Sequence, residues 1–116
     1  MTQLRCRDGI SNYFDLLLAG IGRRGSSFTD IDAITHDGDL DRFLVQEFKH
    51  GSELPLSGGQ WWTLKALSRI PNFTVWLVVR GDVPGEIGWC VVPSGEIATI
   101  SEGEYQAHFR SWWSQQ

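Results

Sequence analysis

The chain of 116 residues predicts an α/β domain, a small mixed sheet flanked by helices, and three observations carry that reading. Two short apolar runs, 28–35 and 43–49, are joined by an acidic turn and read as a β-hairpin. The continuous β-branched and aromatic run TVWLVV at 74–79 reads as a strand covered on both faces. Helical apolar spacing over 10–19 and 60–70 supplies the cover. The length suits one domain, 1–116, with a single core.

Taken in order, ISNYFDLLLA at 10–19 is an amphipathic helix with Ser11 or Asn12 as its cap and a Gly20-Ile21-Gly22 break at its end. Its apolar face, Phe14, Leu17 and Leu18, suits core packing. The loop Arg23-Arg24-Gly25-Ser26-Ser27 either holds a backbone phosphate or is a solvated connector. In the hairpin, Asp37-Gly38 is the turn signal. Asp37, Asp39 and Asp41 alternate as calcium ligands do, but Arg42 and Phe48 stand where a calcium loop needs glycine and glutamate, so the tip is simply charged.

The helix 60–70, QWWTLKALSRI, offers Trp61, Leu64, Ala66, Leu67 and Ile70 for burial, with Ser57 as cap and Pro71-Asn72 as stop. Lys65 and Arg69, one helical turn apart, are either phosphate contacts or a solvated face. Runs 86–92 and 96–100 pair around Pro93-Ser94-Gly95. Ser101 and Glu104 form a capping box for a last helix reaching about Ser114. Of the six tryptophans, Trp61, Trp76 and Trp89 fall in core-forming elements, and Trp112-Trp113 suit a dimer interface.

The chemistry is concentrated in the hairpin. Side chains alternate along a strand, so Asp30 and Asp32 share one face, as do Glu47 and Lys49 on the partner. If Thr35 faces Leu44, Asp32 falls opposite Glu47 and Asp30 opposite Lys49. Clustered carboxylates are costly to desolvate without compensation, and a hard cation such as Mg²⁺ takes one or two carboxylates together with phosphate oxygens and water. Such a metal polarises a phosphoryl oxygen and supplies hydroxide, while a nearby lysine stabilises the developing charge. This is an apparatus for phosphodiester hydrolysis.

Asp32 followed by Glu47-Phe48-Lys49 resembles the Asp…(Asp/Glu)-x-Lys signature of the PD-(D/E)XK nuclease superfamily. Arg24-Gly25-Ser26 is similar to the segment before the metal-binding aspartate in compact Holliday junction resolvases. Gln60, in Leu56-Ser57-Gly58-Gly59-Gln60, resembles a glutamine of virus-type replication-repair nucleases. The chain departs from the pattern at Thr29, where the family name has proline, and in a longer interval from Asp32 to Glu47; Asp15 is the sole acidic candidate from the first helix.

The resemblance implies a minimal restriction-endonuclease-like fold and Mg²⁺- or Mn²⁺-dependent DNA cleavage, resolvase-like and structure-selective, in repair or recombination. It implies that Asp32, Glu47 and the Phe48 carbonyl bind metal, with Asp30 as second choice of aspartate. Lys49 would orient water, and Gln60 would support it. Arg23, Arg24, Ser26, His50, Lys65 and Arg69 would contact DNA. A homodimer suits paired cuts. The alternative is a non-catalytic module on the same fold that binds a protein or nucleic-acid partner.

A net charge of −4 counts against a simple nucleic-acid binder, although the acids crowd between 30 and 53 and leave DNA binding open through the rest of the chain. Cys6 and Cys90 have no metal-ligand spacing and read as reduced structural thiols. Without a membrane-length apolar run or a signal-peptide core at the N-terminus, the expectation is a cytoplasmic protein with no membrane association.

Overall fold

A computed structural model describes residues 31–114. The helix expected at 10–19, with Asp15, and the candidates Arg23, Arg24, Ser26 and Asp30 lie outside the described residues, as does Cys6. The hairpin is formed by β1 (Ala33–Asp37) and β2 (Arg42–His50), and Thr35 pairs with Leu44, the register on which the opposition of Asp32 and Glu47 is conditional. Its tip is tighter than the 36–42 turn left between the two expected runs. β1 runs on to Asp37, which pairs with Arg42, and residues 38–41 make the connection. The cause is the Asp37 carboxylate: Oδ1 accepts the N–H groups of Asp39 and Leu40 at 3.1 and 3.4 Å, and Oδ2 accepts Arg42 Nε at 3.1 Å. Asp41 closes the loop at φ +47°, a left-handed conformation that aspartate tolerates better than most residues.

After β2 the chain makes a 3₁₀ turn (Gly51–Glu53), then α1 (Gly58–Ser68), β3 (Phe73–Arg80), β4 (Glu86–Val92), β5 (Ala98–Ser101) and α2 (Glu102–Ser114). The five strands form one mixed sheet in the order β1-β2-β3-β4-β5. Only β2 and β3 run parallel, and α1 is the crossover that a parallel pair requires.

Both helices start as the sequence predicts. Ser57 Oγ accepts the Gln60 N–H at 3.1 Å while Gln60 Oε1 accepts the Ser57 N–H at 3.3 Å. Ser101 and Glu104 exchange the same pair of bonds at 3.1 and 3.0 Å.

Each helix covers one face of the sheet. On one side Val45, Val75, Leu77, Val79, Cys90 and Val92 pack with Leu64 of α1, joined by Trp61 and Leu67. On the other, Leu44, Trp76 and Val78 pack with Trp112 of α2, joined by Trp89, Tyr105 and Phe109. β3 is therefore buried on both faces, as its unbroken apolar run predicts, from Val75 to Val79.

The tryptophans divide as expected at Trp61, Trp76 and Trp89, but Trp112 is a correction. It is 2% exposed in the core of its own chain, and Trp113 remains 43% exposed. The reason is non-local: the Arg42 guanidinium lies 4.6 Å from the Trp112 ring centroid and donates through Nη2 to the Trp113 carbonyl at 3.1 Å. Cys90 is a buried free thiol whose Sγ donates to the Ser94 carbonyl at 2.9 Å, and burial raises its pKa. Among the described residues, no helix is long and apolar enough to cross a membrane.

Candidate functional site

The far end of the hairpin, away from its acidic tip, gathers the residues singled out in the sequence. Asp32 precedes β1 by one residue, where the chain bends. Its Oδ2 accepts the Phe48 N–H at 2.9 Å, so a side-chain oxygen takes the ladder position that a backbone carbonyl would fill had β1 continued. The Asp32 carboxylate is thereby fixed against the backbone of the Glu47-Phe48-Lys49 segment.

Glu47 is 6% exposed and lies on the same sheet face as Val45, the face that α1 covers. Lys49, two residues on, shares that face, with its Nζ 3.7 Å from Glu47 Oε1 and 3.9 Å from Glu53 Oε2. The Glu47 side chain is 7% exposed and that of Lys49 14%, and their juxtaposition offsets part of the cost of taking either group out of water. Two carboxylates, Glu47 and Glu53, thus stand within ion-pair reach of one ammonium, and a third, Asp32, is bonded to the backbone of the same segment. The excess of negative charge suits a cation.

Glu53 is the residue that sequence reasoning missed. The 3₁₀ turn places it: Glu53 Oε1 accepts the His50 N–H at 2.7 Å, and His50 Nδ1 accepts the Ser52 N–H at 3.3 Å. The available signal was its spacing, three residues from His50 and four from Lys49. His50 also reaches Asp82, with Nε2 at 3.9 Å from Oδ1, so the imidazole sits between a turn and a loop rather than isolated on the surface.

The other candidates stand on α1. The Gln60 side chain is engaged in the cap with Ser57 described above. Lys65 Nζ lies 4.5 Å from the Trp62 ring centroid, and Arg69 is the exposed C-cap residue. The structure therefore joins Asp32, Glu47, Phe48 and Lys49, sets His50 and Glu53 beside them, and keeps Gln60, Lys65 and Arg69 on the helix that covers their sheet face.

Among the described residues, no group of three or more His, Cys, Asp or Glu side chains is placed to hold a metal ion. Asp32 and Glu47 are a pair of hard oxygen donors, a number that suits Mg²⁺ when phosphate and water complete its shell. The donor chemistry fits that ion. Comparison of the chain with protein-family models, curated proteins and solved structures found no match.

Proposed function

We propose that this protein is a metal-dependent deoxyribonuclease that hydrolyses phosphodiester bonds, with structure-selective cutting of branched DNA in repair or recombination as its role. The observation that carries the reading is the convergence of Asp32 on the Glu47-Phe48-Lys49 segment, with the Asp32 carboxylate 2.9 Å from the Phe48 nitrogen. Asp32, Glu47 and the Phe48 carbonyl would hold Mg²⁺ or Mn²⁺, with Asp30 as a further donor. Bound there, the ion supplies Lewis acidity and an acidified water. Lys49, which pairs with Glu47 and Glu53, would steady the attacking water or the charge that grows on a phosphoryl oxygen. The reading carries with it a cytoplasmic location, DNA as partner and a homodimeric state, for which the exposed Trp113 is a contact candidate.

The test is cleavage of labelled duplex and four-way-junction DNA in Mg²⁺, Mn²⁺ or EDTA. Glu47→Ala is expected to abolish cutting, and Glu47→Gln, which keeps the shape of the buried side chain, to lower it by at least two orders of magnitude while far-UV circular dichroism stays native. Full activity in a folded Glu47→Gln protein would refute the assignment.

A second reading, a non-catalytic module that binds a protein or nucleic-acid partner, has its own observation. Lys49 compensates Glu47 without any metal, and Gln60 serves its helix cap. Absence of cutting with either metal, in folded protein, would favour it.

A further inference from the structure

We infer that the outer face of α1 is a contact surface for an unpaired stretch of nucleic acid, with Trp62 as stacking platform and Lys65 and Arg69 as phosphate contacts. The choice of ligand rests on the nuclease reading.

The helix turns Trp61, Leu64 and Leu67 toward the core. Trp62, roughly 100° further round, is 62% exposed. One exposed aromatic residue is unremarkable; its surroundings supply the argument. Lys65 Nζ stands 4.5 Å from the ring centroid, a cation–π pair. Arg69 follows one helical turn after Lys65, and seven residues after Trp62 it returns to nearly the same bearing, about 10 Å along the axis.

Charge points to the same ligand. From residue 54 to residue 81 the sequence contains Lys65, Arg69 and Arg80 and not one Asp or Glu. The stretch 31–53, by contrast, carries Asp32, Asp37, Asp39, Asp41, Glu47 and Glu53 against Arg42 and Lys49. α1 is thus a cationic element in an acidic chain. A chain with net charge −4 cannot hold DNA by diffuse attraction, so contact has to be focal: a flat π-face for a base, with cations spaced along one side for its phosphates. A nucleic acid presents both chemistries together, whereas an apolar protein surface would strip water from Lys65 and Arg69 without replacing it.

The experiment titrates a short fluorescently labelled single strand, by anisotropy and in EDTA so that no cutting occurs. Trp62→Ala is expected to weaken binding about tenfold or more, and Trp62→Phe to retain most of the affinity. Lys65→Ala combined with Arg69→Ala should flatten the slope of log K against log salt by roughly 1.4, the contribution of two phosphates on a single strand. Unchanged affinity in folded Trp62→Ala protein, or no binding by the native protein at low salt, would overturn the inference. Self-association that depends on Trp62 and is indifferent to nucleic acid would overturn it in favour of a protein contact. The two readings separate cleanly. Trp62-dependent binding without metal-dependent cleavage keeps this surface and retires the nuclease, whereas cleavage with unaltered binding by Trp62→Ala does the reverse.

Discussion

Asp37 illustrates how one buried carboxylate fixes a turn. Burial on its own would raise its pKa, but the Arg42 guanidinium and the Leu40 and Asp39 N–H groups outweigh that effect, and the net shift is downward. A folded-state pKa below the unfolded one contributes stability that is fully present above the unfolded carboxyl range, near pH 4, and lost as pH falls through the folded value. Urea midpoints followed through the acid range should therefore decline more steeply for the native protein than for Asp37→Asn. The variant should be the less stable of the two at neutral pH, and parallel acid limbs would contradict the sign argued here. At this scale the sequence was partly legible. The Asp37-Gly38 signal placed a turn, but the extension of β1 depends on a side chain bonding Arg42 across the hairpin, which a propensity rule does not see.

At the scale of the element, β4 contains a glycine where space demands one. A Cβ on Gly88 would stand 2.9 Å from Ile97 Cγ2 and 3.1 Å from Val79 Cβ. Val79 belongs to the buried central strand and has little room to retreat, so Gly88→Ala is expected to cost about 1–3 kcal/mol by overpacking, read as a lowered urea midpoint with an unchanged slope. Elements governed by local rules were legible: the Ser101–Glu104 capping box, Ser57 as the cap of α1 and the β4 boundaries follow from spacings of a few residues, whereas the hairpin register entered only as a condition. Where a side chain's use is decided by its neighbours in space, legibility fails. Gln60 was singled out for a supporting role in chemistry, and its side-chain oxygen accepting the Ser57 N–H to close the helix cap was not foreseen. Glu53 joins the candidate site only because a 3₁₀ turn folds it back over Lys49.

At the scale of the whole molecule, the unbroken apolar run of β3 announced a sheet covered on both faces, and the α/β class followed. Which aromatic groups from α2 complete the second core layer was not announced. Trp112 is held from far along the chain, and its neighbour Trp113 is bonded to Arg42 across 71 positions. Trp112→Ala is expected to cost about 3–5 kcal/mol by leaving a cavity against Leu44, Trp76 and Val78; a loss below 1 kcal/mol in chemical denaturation would mean that this layer is dispensable.

The bond from Arg42 to the Trp113 carbonyl also defines a path for mechanical load. Arg42 opens β2, which is paired on both sides, antiparallel to β1 and parallel to β3. Tension applied at the end of α2 is thus shared between the backbone, which leads into the edge strand β5, and the side-chain bond, which leads to a strand inside the sheet. The last helix is moored at both ends, to β5 through the backbone and to β2 through the contacts of Arg42 with the Trp113 carbonyl and the Trp112 indole.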